Sequence, residues 1–213
     1  MNKQWNYFDD LTSRLLFATD ASAYREIPAA VFFPESNEDI RDIIEHAGNK
    51  GTSIIPRGAG TSLAGQVVGS GIVVDISRHM NRIPELNRSE KWVKVEPGVI
   101  LSELNQYLEP YGLFFGPETS TANRCTIGGM VGNNACGLHS IIYGSTRDHL
   151  LAVKAILSNG SEAEFKALTR EEFEKKCTGN SLENKIYQNI KTILSNPENA
   201  EEIRSQYPDP EIP

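Results

Sequence analysis

The chain has 213 residues, of which 39% are hydrophobic and 23% charged, and a formal net charge of −7. That length buries a substantial core in one large domain or two small ones, and the acidic balance excludes non-specific nucleic-acid binding, which needs a basic surface. No apolar run approaches the roughly 18 residues of a spanning helix, and acids stand where a signal peptide would carry its apolar centre, so a cytoplasmic protein is expected.

Phe8, Leu11, Leu15 and Leu16 have helical spacing and predict a short helix over 6–18. AAVFFP (29–34) reads as a strand closed by proline. Ser36 and Asp39, three apart in SNED, predict a capping box for a helix with Ile40, Ile43, Ile44 and Ala47 on one face, ended by Gly48 or Gly51. TSIIP and IVVDIS read as buried strands on either side of PRGAGTSLAGQ (56–66). RIPELN and KWVKVEP predict a hairpin. ILSELNQYLEPYG (100–112) predicts a helix with Leu101, Leu104 and Leu108 inward, and LFFGP (113–117) a brief strand. Asn159-Gly160 predicts a second hairpin. Beyond 165 the chain turns charged and helix-prone, with too few apolar residues for its own core, and PDPEIP (208–213) cannot be a strand interior. The fold class is α+β, with a β-α-β opening.

The loop over 56–66 is bare: Gly58, Ala59, Gly60, Thr61, Ser62, Ala64 and Gly65 leave only Leu63 bulky and only Arg57 charged. Glycine in such numbers marks positive φ or the close approach of a ligand. A second bare segment spans 116–149. There Thr126 is a helix start whose N–H groups at Ile127, Gly128 and Gly129 are expected to be free for an anion; tight packing of a small helix on a sheet would favour the same glycines. Together the two segments suit a phosphate or pyrophosphate held by backbone dipoles. The dinucleotide fingerprint fails, because Leu63 stands at its third glycine and a strand follows. The P-loop spacing at Gly60 and Gly65 fails too, because Gln66 replaces the lysine. Cys125, Cys136 and Cys177 form no CxxC and read as reduced thiols; a zinc site on Cys125, Cys136 and His139 lacks a fourth ligand and a standard spacing.

PRGAGTSLAGQ, VDISRHMNRI, VEPGV, PETSTANRCTIGGMVGNNACG and YGSTRDHLLAVKAILSNG, in unbroken order over about 15–165, resemble the N-terminal half of FAD-linked oxidases of the vanillyl-alcohol oxidase and p-cresol methylhydroxylase (PCMH) type. Within that type they are most similar to the D-lactate dehydrogenase and glycolate oxidase flavoprotein subunit group. The resemblance implies a PCMH-type fold of two small α/β subdomains with FAD between them. It places the FAD-binding domain at 1–165, a helical insertion at 166–213, and the rest of the domain and a substrate domain outside a truncated chain.

By the same resemblance Pro56, Arg57, Gly58, Ala59, Gly60, Thr61 and Ser62 wrap the pyrophosphate, and Leu63, Ala64 and Gln66 continue the contact. Pro117, Thr119 and Ser120 lie beside the flavin ring and ribityl chain. Gly128, Gly129, Gly132, Asn133, Asn134 and Gly137 form a second phosphate wall, with Tyr143 and Gly144 close by. Arg57 is open to two readings, an ion pair with an acid such as Asp75 or direct cofactor contact. Thr61 holds the position where some relatives bond FAD through histidine, so noncovalent FAD is expected, and Cys125 and Cys136 read as core residues before attachment points. The implied reaction oxidises a D-2-hydroxy acid, D-lactate or glycolate-like, to a 2-oxo acid. Its implied partners are a small-molecule substrate, an electron acceptor, and an iron–sulfur domain or subunit in the full-length protein, with peripheral attachment at the inner membrane. The rivals are alcohol oxidation, reduction of a UDP-sugar enolpyruvate, and a noncatalytic nucleotide-binding module. No catalytic residue is assigned: His46, His79, His139 and His149 all read first as structural, and the stretch alone is expected to bind FAD weakly or not at all and to be inactive.

Overall fold

Residues 6–206 are described by the computed structural model; residues 1–5 and 207–213, which include the proline-rich 208–213, lie outside the described residues. The chain divides into two compact units, one ending at Leu150 and one starting at Leu151.

The first unit opens with strand β1 (Tyr7–Phe8) and helix α1 (Leu11–Leu16). The expected helix over 6–18 is thus shorter, because Asp10 caps it: its Oδ1 accepts the Ser13 N–H at 3.0 Å. The residues before the cap are released to pair antiparallel with strand β2 (Ala30–Phe32). Helix α2 (Asn37–Lys50) follows, with the Ser36–Asp39 capping box in place and Gly51 closing it at φ 64°. Strands β3 (Ile54–Arg57) and β4 (Ile72–Asp75) complete a sheet of order β1-β2-β4-β3. Both β2 and β3 run parallel to β4. Pro56 is tolerated because β3 is an edge strand.

Parallel neighbours cannot be joined by a tight turn. The bare segment is the crossover from β3 to β4 (residues 58–71), and here no helix fills it. Alternation divides the strand residues between the two faces. Ala30, Phe32, Ile72 and Val74 pack with Ile43 and Ala47 of α2, while Val31, Phe33 and Val73 pack on the opposite side with Phe17 and Ile55. Burial on both faces explains the unbroken apolar runs.

The hairpin of β5 (Glu85–Asn87) and β6 (Trp92–Lys94) then lays Leu86 and Val93 against helix α3 (Leu101–Leu108). Leu101, Leu104 and Leu108 of α3 meet Val99, Cys125, Ile127 and Met130 in a second core cluster. Residues 113–117 do not form the expected strand. The Asn105 side chain on α3 accepts the Phe115 N–H at 2.7 Å, and the Leu108 carbonyl accepts the Leu113 N–H at 3.3 Å, so helix α3 holds that backbone in place of a sheet. Helices α4 (Ile127–Asn133) and α5 (Ser140–Tyr143) follow, and a short 3-10 turn over Thr146–His149 closes the unit.

In the second unit β7 (Ala152–Ile156) and β8 (Glu162–Lys166) pair through the Asn159-Gly160 turn, with Gly160 at φ 78°. Helices α6 (Arg170–Lys176), α7 (Leu182–Ser195) and α8 (Pro197–Gln206) follow. Tyr187 of α7 meets the Phe165 ring at a tilt and the Phe173 ring edge-on, and Lys176 pairs with Glu183 at 2.5 Å. Among the described residues of this unit, only Ala163 is a buried hydrophobic.

Candidate functional site

Where β3 ends, the Arg57 carbonyl accepts the Ile76 N–H at 3.0 Å, and three residues later the Gly60 carbonyl accepts the Ala21 N–H at 3.1 Å. From Gly58 through Leu63 the backbone N–H groups meet no acceptor among the described residues. Gly60 and Gly65 take positive φ, 65° and 77°. The loop is closed internally by Gln66, whose Oε1 accepts from the Ser62 hydroxyl and from the Ala64 N–H. Leu63 is 81% exposed, so the single bulky side chain does not fill the loop. None of these residues is buried, so the donors are open to solvent or to a ligand. A bound anion is a ligand that suits them.

Arg57 is held within the protein by two contacts. Its Nη1 donates to the Thr19 carbonyl at 2.9 Å and the guanidinium lies 5.2 Å from the centre of the Phe17 ring. Burial pulls its pKa below the ordinary arginine value, and the carboxylates of Asp75 and Asp20 oppose that shift.

The second segment corrects an expectation. Thr126 does cap α4, but the helix start is not open. The Ile127 N–H donates to the Val99 carbonyl and the Gly128 N–H to the Pro97 carbonyl, both at 2.8 Å, and the Gly129 N–H donates to Thr126 Oγ1 at 3.2 Å. A Cβ on Gly128 would stand 2.6 Å from Pro97 Cβ, so this glycine lets α4 press on the 97–99 segment. The packing explanation, equally open from sequence, holds for Gly128.

The two bare segments nevertheless meet. A Cβ on Gly58 would stand 2.3 Å from Thr126 Oγ1, and one on Gly129 would stand 3.1 Å from the same atom. A single hydroxyl oxygen therefore lies between the first loop and the start of α4. Thr126, Ala21 and Pro97 were not singled out as site residues from sequence; the first had a signal, a threonine before Ile-Gly-Gly at a helix start.

A second grouping gathers the flanking residues. Gly116 and Pro117 are buried, and a Cβ on Gly116 would come 3.1 Å from Tyr143 Cβ. Gly137 lies against the Glu118 carbonyl, and Glu118 Oε1 is 2.6 Å from His139 Nδ1. Tyr143 also meets Phe114 edge-on at 5.4 Å. Thr119 Oγ1 is 3.1 Å from the buried Cys125 sulfur, and Ser120 is exposed. Gly132 and Asn133 are exposed, Gly132 facing open space. Asn134 instead ends α4 at φ 45° and accepts the Arg147 N–H at 3.0 Å, while Gly144 takes φ 67° against Asp148. Cys125, Cys136 and Cys177 are free thiols, and the described residues hold no cluster suited to a metal.

A mixed sheet whose side-chain-poor crossover meets the start of a glycine-rich helix defines an α+β unit. Solved structures share this fold: 6-hydroxy-D-nicotine oxidase from Arthrobacter nicotinovorans is 21% identical with a TM-score of 0.69, covering 80% of this chain and 37% of that one. Alkyldihydroxyacetonephosphate synthase is 20% identical with a TM-score of 0.68, covering 78% and 33%. The chain belongs to the FAD binding domain family, which it matches over residues 28–166. It is 46% identical to D-2-hydroxyglutarate dehydrogenase of Escherichia coli (strain K12) over 83% of this chain and 18% of that protein. To the glycolate oxidase subunit GlcD of Bacillus subtilis (strain 168) it is 34% identical over 73% and 33%, and to the mitochondrial D-lactate dehydrogenase [cytochrome] of Arabidopsis thaliana 37% identical over 63% and 24%. The chain thus spans 18% of the length of the first of these relatives. FAD fits the residues present: the unpaired amides of Gly58–Leu63 match a diphosphate in chemistry, and the loop's one bulky side chain, Leu63, is 81% exposed.

Proposed function

We propose that this chain supplies the FAD-holding part of an oxidoreductase that converts a D-2-hydroxy acid, D-lactate or glycolate-like, to the 2-oxo acid. One observation carries the site: the row of unpaired amides from Gly58 to Leu63 on a loop without side-chain bulk. In this reading those amides hold the diphosphate noncovalently, Thr61 offering no histidine for attachment, and Gln66 shapes the loop. Pro117, Thr119 and Ser120 flank the flavin ring and ribityl chain. Gly128 and Gly129 contribute by letting α4 approach Pro97 and Gly58 rather than by donating. Gly132, Asn133, Gly137 and Tyr143 complete the second wall, with Asn134 and Gly144 shaping its turns. When bound, FAD supplies the acceptor for the hydride that leaves the substrate α-carbon.

The substrate class is supported by the names of the relatives: 2-hydroxyglutarate, glycolate and lactate all carry a carboxylate next to the hydroxyl-bearing carbon. The same proposal includes a separate electron acceptor, an iron–sulfur domain or subunit in the whole protein, and a cytoplasmic location with peripheral attachment at the inner membrane. Among the described residues no helix is long and apolar enough to cross a membrane.

Flavin fluorescence during titration of FAD with the protein tests the cofactor. Saturable quenching is the expected result, and its absence up to millimolar FAD would remove the site. Anaerobic addition of D-lactate, glycolate or D-2-hydroxyglutarate to the whole flavoprotein tests the substrate. Loss of the oxidised-flavin absorbance with at least one of them is expected; a flavin that none of them bleaches would overturn the substrate class and leave the cofactor standing.

A further inference from the structure

We propose that the segment from Phe17 to Ala21, acting with Arg57, is a strap that positions the loop amides before any ligand arrives. The proposal rests on the reading of this loop as the diphosphate seat. In a trans peptide the carbonyl and the following N–H point to opposite sides, and the described residues contain no cis peptide bond. Pinning the Arg57 carbonyl to Ile76 therefore turns the Gly58 N–H away from β4. Pinning the Gly60 carbonyl to Ala21 likewise turns the Thr61 N–H away from the strap. Both N–H groups are thereby left facing where they meet no protein acceptor.

The strap is itself fixed. Thr19 bridges antiparallel to Arg25, and the Ala18 carbonyl accepts the Glu26 N–H at 2.9 Å. Arg57 locks strap to loop, with one guanidinium nitrogen on the Thr19 carbonyl at 2.9 Å and the group lying over Phe17. Its Nη2 lies 2.4 Å from where a Cβ of Gly60 would stand, which together with φ 65° explains why position 60 is glycine. Asp20 and Asp75 both attract the guanidinium. Asp20 Oδ1 accepts the Ser22 N–H, and Asp75 Oδ1 accepts from the Ser77 N–H and hydroxyl. With one guanidinium nitrogen on the Thr19 carbonyl and the group over the Phe17 ring, Arg57 is a positioning residue, and attraction for a phosphate falls to the oriented amides.

The test uses the whole chain with R57K, R57Q and A21P, reading backbone 15N order parameters without ligand and FAD affinity by fluorescence. In the wild type the amides from Gly58 to Leu63 are expected near the rigid value of about 0.85, falling below about 0.6 in R57K and R57Q. Lysine keeps the charge but not the planar fork that stacks and donates together, so both variants are expected to lose at least about tenfold in FAD affinity, about 1.4 kcal/mol. A21P removes only the N–H on Gly60 and is expected to loosen Thr61 most; F17L, which takes the ring from under the guanidinium, replaces it if A21P does not fold. A loop that stays rigid in R57Q, or R57K binding FAD as the wild type does, overturns the strap. A wild-type loop that is rigid and loosens in the variants, in a chain that binds no FAD, overturns the diphosphate seat and leaves the strap standing.

Discussion

Gly128 and Gly132 stand one helical turn apart in α4, and sequence alone assigns them one role. Space separates them. A Cβ on Gly128 meets Pro97 at 2.6 Å, whereas one on Gly132 meets nothing within 4 Å. Gly132→Ala is therefore expected to stabilise the protein by roughly 0.5–1 kcal/mol, the helix-interior difference between these residues. Gly128→Ala forces a rigid proline aside and is expected to cost about 1–3 kcal/mol. Urea midpoints of the two variants check this, and equal shifts would mean that α4 does not press on Pro97. The same limit governed the expected anion site. Small residues at 126–129 were legible as a helix start, but the acceptors that take its N–H groups, Val99 and Pro97, come from a segment nearly thirty residues earlier, and no local pattern announces them. The first loop kept its expected openness because it is a crossover between strands, with little packed against its N–H groups.

Elements whose boundaries rest on local chemistry were the legible ones. The Ser36–Asp39 box, the Leu101–Leu104–Leu108 stripe and the Asn159-Gly160 turn each specify their structure within a few residues, and each appears where its pattern lies. LFFGP failed because its fate depends on Asn105, a side chain on the helix before it. Capping carboxylates also set the acid limit. The Ser145 N–H and hydroxyl hold Asp148 below the ordinary aspartate range, the Thr169 N–H and hydroxyl do the same for Glu172, and Ser13 does so for Asp10. A carboxylate with a lowered folded-state pKa stabilises above its unfolded pKa and loses that contribution as pH falls through the folded one. Melting temperature is thus expected to hold between about pH 6 and 7 and to decline below about pH 4, where these groups take up protons. D148N should make that decline shallower, and an unchanged acid limb in D148N would remove Asp148 from the account.

At the scale of the whole molecule, the two units differ in how they are held together, and a ligand should report the difference. The unit ending at Leu150 contains nearly all the buried hydrophobics and the whole of the proposed FAD seat, whereas the unit from Leu151 buries only Ala163 among its described hydrophobics. That second unit leans on aromatic contacts around Tyr187 and on the Lys176–Glu183 and Lys191–Glu174 pairs, which are partly exposed and contribute little each. Its character was legible as composition, a charged helical stretch poor in apolar residues, but its pairing of a hairpin with three helices depends on side-chain contacts that composition does not encode. A ligand that binds only the folded first unit stabilises that unit by RT ln(1 + [L]/Kd), about 1.4 kcal/mol at tenfold Kd. Calorimetry is therefore expected to show two transitions, with FAD raising one by a few degrees and leaving the other in place. Hydrogen exchange identifies the transition that moves: slowing confined to residues before Leu150 agrees with a seat built from 58–63 and 116–144. Equal slowing in α7 and β4 would instead mean that the two units unfold together, against the expected two transitions.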